Sequence, residues 1–382
     1  MALEFNGSKG RTLGIEIEIQ LVDSEEFSLK DTSDEIVAGL KELEGAIKHE
    51  LLRSTLEINT CVCSSLEDAE ADLFRKFEAA MAEASRHSTR LCCAGTHPFS
   101  RWKDQTVTDN PRYRRLVENL QMVARRFNIF GLHVHTGISD GERCIYIMNR
   151  MLSYLPHLLA LSANSPFWEG HNTGLMSYRT KVFENLPVAG LPFYFRNWHD
   201  YVEVVDGYLR TGTIETIREL WWDIRPHPDF GTLEVRICDA PSTIRETLGI
   251  AALIQSLVSR FDREYEAGVP FERPHPFIVR ENKWRAARYG LGAEFINEDG
   301  KTTVDARRAI LGLLDTVDLD AKRLGAYRYL LLARDILDRG EGAVRQLEQW
   351  KRSCDLKEVV RYLCDELNEE VLSRHAGGGY GR

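Results

Sequence analysis

Between Thr12 and Leu21 the chain alternates without a break. Leu13, Ile15, Ile17, Ile19 and Leu21 stand between Thr12, Gly14, Glu16, Glu18 and Gln20. A period of two puts every second side chain on one face of a strand, so residues 11–23 predict a strand with an aliphatic face and a polar face. Three further segments follow the same rule. In residues 55–62, Leu56, Ile58 and Val62 share one face while Glu57 and Asn59 share the other. Residues 131–138 set His133 and His135 on one face beside the small Gly131 and Gly137, and residues 231–238 do the same with Glu234 and Arg236.

The polar faces decide what such a sheet is for. An antiparallel sheet with one solvated face is ordinary, but a solvated face carries Lys, Thr, Ser and Gln at varied positions. These four strands offer almost only Glu, His and Arg, and no Lys. Carboxylates gathered on one face repel each other unless cations lie between them. Carboxylate oxygen with an imidazole is a hard site that suits Mg²⁺ or Mn²⁺ better than zinc, and Mg²⁺ among carboxylates commonly bridges to substrate phosphates. The longer loops add Arg179, Arg196 and Arg225, whose planar forks suit phosphate and carboxylate. Metals on a sheet floor with arginine walls point to phosphoryl transfer from a nucleotide. The phosphoryl acceptor is not identified by these residues.

The rest of the chain frames that sheet. Ser64 and Glu67 predict a capping box opening a helix to about residue 87. Further helices are expected over 111–127, over 142–164 with a bend at Pro156, and from Thr243 to about 267. From Asn282, read as a helix cap, the chain is expected to be helical to about 373, apart from a turn over 297–303. Residues 165–198 have no clear period and form a long loop of the kind that carries function. The expected class is α+β: an antiparallel sheet, helices on one side and a helical C-terminal annex from about residue 300. Residues 1–375 are expected to form one catalytic domain, and 376–382 a disordered tail.

Of 382 residues, 43% are hydrophobic and 28% charged, and the net charge is −9. That balance argues against nucleic acid or a membrane surface as partner. No apolar run reaches the length of a membrane span, and the first eleven residues lack a signal-peptide core. The eight cysteines form no C-x-x-C pair and are read as buried thiols of a cytoplasmic protein.

Several motifs occur in a set order: Thr12-Leu-Gly-Ile-Glu-Ile-Glu, Gly95-Thr-His-Pro-Phe, Gly131-Leu-His-Val-His, Ala163-Asn-Ser-Pro-Phe, the run from Trp222 to Arg236, and Arg285-Ala-Ala-Arg-Tyr-Gly. Together they resemble the YbdK-type carboxylate–amine ligases of the second glutamate–cysteine ligase family, over roughly residues 12 to 292. The resemblance implies a glutamine-synthetase-like catalytic fold, in which a curved antiparallel sheet forms a funnel for Mg²⁺ ions and ATP. It implies that Glu16, His133 and Glu234 hold the metal on the ATP phosphates. Glu18 and Glu57 hold the metal near the acceptor carboxylate. Arg225 and Arg236 neutralise the transferred phosphoryl group, and the Arg179 loop faces the acceptor. His135, Asn282 and Arg288 are further candidates for nucleotide contact, with hydrogen-bonding or surface roles as the alternatives.

The implied reaction joins a carboxylate, glutamate favoured, to an amine, with cysteine one option, through an acyl phosphate. The general base is not fixed by the sequence: a glutamate on the polar strand faces or a loop aspartate such as Asp239 could serve. The amine is not fixed by the sequence, nor is the oligomeric state, a homodimer being one option. Two rivals are weaker. A metal-dependent amide hydrolase accounts for His133-x-His135, but such barrels place the pair on their first strand and need a βα repeat. A catalytically degenerate ATP- and metal-binding protein conflicts with the complete Glu and His set.

Overall fold

The computed structural model describes residues 3–373; the tail expected at 376–382 lies outside the described residues. Seven strands form one sheet: β1 Leu13–Asp23, β2 Ile47–His49, β3 Thr55–Asn59, β4 Thr89–Cys92, β5 Gly131–Gly137, β6 Ile224–His227 and β7 Thr232–Asp239. Their order is β6-β7-β5-β1-β3-β2, and β4 pairs with the far end of β1 beyond β5. All pairings are antiparallel.

The aliphatic faces of these strands are sealed. Leu13, Ile15, Ile17, Ile19, Leu56, Ile58, Leu132, Val134, Leu233 and Val235 belong to one continuous core. Against it lie helices α1 Leu66–Arg86, α2 Gly141–Met151, α3 Leu155–Ser162 and α4 Ile244–Glu266. Helix α4 is buried on every side over most of its length, which places it between two layers. The outer layer is α6 Ala306–Arg323 and α7 Tyr327–Arg339, reached through α5 Pro276–Tyr289. The C-terminal helices therefore share the core of the sheet. After α8 Gly342–Ser353, the last helix, α9 Leu356–Ser373, packs against β4 and α1.

Local chemistry sets the boundaries and shifts some expected ones. The box that opens α1 is one residue later than the sequence pattern suggests. Ser65 accepts from the Asp68 amide at 3.1 Å, and the Asp68 carboxylate accepts from the amides of Ser64 and Ser65. The helix expected over 111–127 breaks at Gln121, whose φ is +50°. Asn282 does not cap a helix: α5 begins at Pro276, and the Asn282 amide is spent on both backbone groups of Ile296, at 2.8 and 2.7 Å. Val62, expected on the aliphatic face, lies beyond the end of β3 and is 82% exposed. The long loop at 165–198 contains a short hairpin and a helical turn, Arg179–Phe183.

Candidate active site on the polar face of the sheet

The register brings the charged residues together. Glu16 lies opposite His133 on one side and Asn59 on the other, Glu18 lies opposite Glu57, and Glu234 lies opposite His135 and Arg225. A bulge between Val235 and Cys238 then inserts one extra residue in β7. It resets the alternation, so that Asp239, opposite Gly131, falls on the polar face although Glu234 and Arg236 occupy the even positions.

One ligand atom each from Glu16, His133 and Glu234 lie within 4.8 Å of one another. His133 Nδ1 is 3.5 Å from Glu16, and His135 Nε2 is 3.6 Å from Glu16 and 3.8 Å from Glu234. Burial and the nearby Arg236 charge pull the His133 pKa down to about 4, which leaves a neutral imidazole with a free lone pair near pH 7. Burial pushes the Glu16 carboxyl up, but the two imidazoles outweigh it and the group stays ionised, at about 2. Glu234 is buried, yet Arg225 and Arg236 hold it well below the usual carboxylate range. Two carboxylates and a neutral imidazole converging in a half-enclosed space are a donor set fit for a hard divalent cation.

A second acidic group lies two residues along β1. Burial raises the Glu18 pKa against the opposing Arg179 charge, and its carboxylate accepts the Gly131 amide at 2.5 Å. Glu57 is bonded by Asn59 at 2.8 Å and approached by Lys48 at 3.4 Å. Glu50 joins them. Burial and the charges of Glu57 and Glu18 push its pKa well above the ordinary value. Sequence reasoning missed Glu50 because it precedes a turn and belongs to no alternating run; its crowding with Glu57 was the only available signal, and that is tertiary.

The arginines divide into two kinds. Arg225 spends its donors on Glu234 at 2.6 Å and on the carbonyls of Ile217, Arg218 and Leu220. Arg236 also pairs with Glu234, but its buried Nε has no partner. The Nε of Arg179 is likewise buried and unpartnered, while its other nitrogens hold the carbonyls of Arg236 and Ile237. The Arg179 guanidinium crosses Gly131 so closely that a Cβ there would stand 2.2 Å from it. Arg196 pairs with Asp200 on the surface.

Other candidates stand apart from this cluster. Asn282 faces Ile296, as described above, and Arg288 turns to the Gly174 carbonyl and the Tyr289 ring. Gln20 is buried and donates to the Ala94 carbonyl. Asp239 is fully enclosed and accepts from Ser165 at 2.6 Å, Ser177 at 2.9 Å and the Asn164 amide at 2.9 Å. These three bonds, made by a carboxylate with no exposed surface, make Asp239 a hub that fixes the Arg179 loop and close it to an incoming amine in this structure.

With this geometry in place, relatives give the site a lineage. The family model described as glutamate–cysteine ligase family 2 matches residues 12–366. A protein of Gloeobacter violaceus with the provisional name glutamate–cysteine ligase 2 is 44% identical, over 94% of this chain and 98% of its own. One of Thermobifida fusca with the same provisional name is 41% identical, over 100% and 96%. The glutamate–cysteine ligase of Francisella tularensis, solved with AMP, has a TM-score of 0.71 at 13% identity, covering 97% of this chain and 92% of that one. A bifunctional glutathione synthetase of Pasteurella multocida has a TM-score of 0.72 at 15% identity, covering 96% and 53%. Those two show a shared fold. The family model extends through the helices that pack on α4 to near the end of α9, and so spans every strand of the charged face: this chain belongs to glutamate–cysteine ligase family 2.

Proposed function

We propose that the chain is an ATP-dependent carbon–nitrogen ligase that activates a carboxylate as its acyl phosphate and passes the acyl group to an amine, with glutamate and cysteine as the favoured pair. The observation that carries this reading is the Glu16–His133–Glu234 cluster beside two buried arginine nitrogens, Arg236 Nε and Arg179 Nε, with no partner of their own. A buried unpaired donor costs free energy, and a phosphoryl or carboxylate oxygen is the group that satisfies it.

A carboxylate is a poor acyl donor because oxide would have to leave. Phosphorylation supplies a good leaving group, at the cost of bringing two anions together. Glu16, His133 and Glu234 would hold Mg²⁺ or Mn²⁺, which would supply charge neutralisation for the polyphosphate oxygens. Arg225 locks Glu234 in position, and neutral His133 presents its lone pair. Arg236 stands where it can neutralise the group in transfer. Glu18 and Glu57, opposite each other on β1 and β3, would help hold a second hard cation toward the acceptor, with Arg179 across Gly131 to orient the acceptor's own charge. The eight cysteines are free thiols, six buried as expected and two, Cys61 and Cys354, exposed against that expectation because they lie outside the strands and helices; free thiols fit a cytoplasmic setting. Among the described residues no helix is long and apolar enough to cross a membrane.

The test is a trapping experiment. With Mg²⁺, ATP and glutamate but no amine, slow release of ADP and pyroglutamate is expected, because glutamyl phosphate cyclises. Hydroxylamine should divert it to the hydroxamate whichever amine is natural, and cysteine to γ-glutamylcysteine. No hydroxamate from any carboxylate in a broad panel would refute the reaction class; hydroxamate from another carboxylate would refute only glutamate.

A further inference from the structure

A cavity of about 310 Å³ opens among the helices, between α3, α5, the first turns of α6 and the hairpin formed by Glu294–Ile296 and Thr303–Asp305. None of the residues that line it belongs to the seven-stranded sheet. Its volume lies at the lower end of the range of small-molecule sites. The walls are tied to one another. The Asn282 amide holds Ile296 from α5, Arg285 donates to the Glu294 carbonyl at 2.8 Å, and the Ala306 amide bonds the Ala293 carbonyl at 2.9 Å. A site that is already built loses little ordering entropy when it is filled.

The interior is aromatic and apolar. The His157 ring on α3 has its centroid 4.8 Å from that of Phe295 and 5.7 Å from that of Tyr154. Ile278, Val279 and Val304 add aliphatic surface. Burial pulls the His157 pKa down to about 4, so the ring is neutral near pH 7 and acts as part of the aromatic wall. Rings tilted against one another in this way accept the edge or face of a further ring. The mouth is charged. Glu298 on the hairpin turn and Arg308 on the first turn of α6 are both exposed there. Burial, and after it the Glu298 charge, raises the Tyr154 pKa, which sets that carboxylate close to the aromatic wall. Among the described residues neither Glu298 nor Arg308 has an ion-pair partner. They line one cavity without pairing with each other, so their charged ends stand further apart than a salt bridge. Between them and the interior, a Cβ on Gly312 of α6 would meet no atom within 4 Å, which leaves the side of the mouth open.

We propose that this cavity binds a free aromatic α-amino acid, with its ring among Tyr154, His157 and Phe295, its ammonium at Glu298 and its carboxylate at Arg308. The head group of an α-amino acid carries both charges on a single carbon, and so bridges a carboxylate and a guanidinium that do not reach each other. An aromatic amine would leave Arg308 unpaired, an aromatic acid would leave Glu298 unpaired, and a small amino acid would leave the rings in water. Occupancy reaches beyond the cavity. Helix α3 runs on to Asn164 and Ser165, which bond Asp239 at 2.9 and 2.6 Å. Helix α5 carries Lys283, which holds Asp223 at 2.5 Å and Glu184 at 2.8 Å, and Ala287, whose carbonyl accepts the amides of Met176 and Ser177. A ligand held between these two helices braces the frame of Arg179 from outside the charged face.

Phenylalanine is the probe, titrated by calorimetry into the full-length chain and into its Arg308→Gln and Gly312→Leu variants. Both variants should keep or raise the melting temperature without the probe, since Arg308 is exposed and unpaired and leucine is a better helix former than glycine. Loss of the Arg308 contact should weaken binding by about tenfold, and the leucine side chain, by filling the mouth, should abolish it. Phenylethylamine and phenylpropionate, each lacking one charge, should bind about tenfold more weakly than phenylalanine, and alanine should give no heat. Phenylalanine should raise the melting temperature of the unaltered chain but not that of Gly312→Leu. Glu16→Ala, which alters the charged face alone, should bind phenylalanine as the unaltered chain does. No heat with phenylalanine would overturn the proposal, as would binding kept at full strength in both cavity variants. Binding lost in Glu16→Ala but kept in Gly312→Leu would move the amino acid to the charged face and overturn it too. Equal affinity for phenylethylamine would overturn the zwitterion as the ligand.

Discussion

Arg225 and Arg236 grip the same carboxylate, Glu234, but their surroundings assign them different tasks. Arg225 spends Nε and Nη1 on Glu234 and three carbonyls, so replacing it leaves a buried carboxylate and three carbonyls short of a partner. Arg225→Met should lower stability by about 3 kcal/mol, read as a fall in the denaturation midpoint. Arg236→Lys should leave the midpoint nearly unchanged, because charge is kept beside Glu234. It loses the planar fork and the free Nε, and kcat for ADP release should drop about a hundredfold, the effect of one lost transition-state contact near 3 kcal/mol. An unaltered kcat would make Arg236 a structural ion-pair partner. Glu16→Ala should abolish ADP release and lower the melting temperature, since the fold holds the Glu16 carboxyl below its ordinary pKa and so draws stability from its charge; near-normal turnover would refute the metal assignment.

At the level of elements, the junction of α9 with α4 carries a proton. Glu370 accepts the first free amides of α4, those of Ile244 and Arg245, at 2.7 and 2.9 Å. Burial, with Glu246 adding to it, raises the Glu370 pKa to about 7. The folded state thus binds more protons than the unfolded chain between about pH 4.5 and 7. The Glu370 contribution to stability is complete below that window and is lost as pH rises through it, by about 2 kcal/mol for a partly exposed group. Buried His97, His133 and His227, with half-buried His157, each lowered to about 4, act in the opposite sense over much of the same range. The comparison must therefore be made with Glu370→Gln, which keeps an acceptor and removes the titration. Its stability relative to the unaltered chain should improve as pH rises from 5 to 8; parallel curves would show that Glu370 does not titrate there. Elements of this kind were not legible in the sequence, because the cap comes from a helix more than a hundred residues away. Nor were β2, β4 and β6, which are too short to show an alternation, so Arg225, read as a loop residue, lies on β6. The four alternating strands were legible, because a period of two is local. So were Glu16, His133 and Glu234, whose positions follow from alternation alone. Asp239 was read as a loop residue beyond the fourth strand, because neither the bulge that carries it onto the polar face nor its partners Ser165 and Ser177, from a loop without periodicity, leave a mark on the alternation. Asn282 was misread because a polar residue within a helix can look like its first residue when Pro276, the true start, is passed over.

For the whole molecule, the sheet is a floor of negative charge held in place by a large apolar core, and binding should stabilise it. ATP with Mg²⁺ at a hundred times its Kd should add about 2.7 kcal/mol. A scan with ATP alone should show a smaller shift, and Glu16→Ala should remove the Mg²⁺ increment. An equal shift with and without Mg²⁺ would argue against a metal in the cluster. The Arg179 loop adds a kinetic consequence. The amides of Met176 and Ser177 both bond the Ala287 carbonyl, Tyr178 bonds Ser165, and Arg179 bonds the hydroxyl of Ser165, which is itself tied to Asp239. A segment secured in this way cannot breathe independently of the sheet. In deuterated buffer these four amides should exchange over hours, at the pace of β1, and substrate should slow them no further, because the wall stands complete before anything arrives.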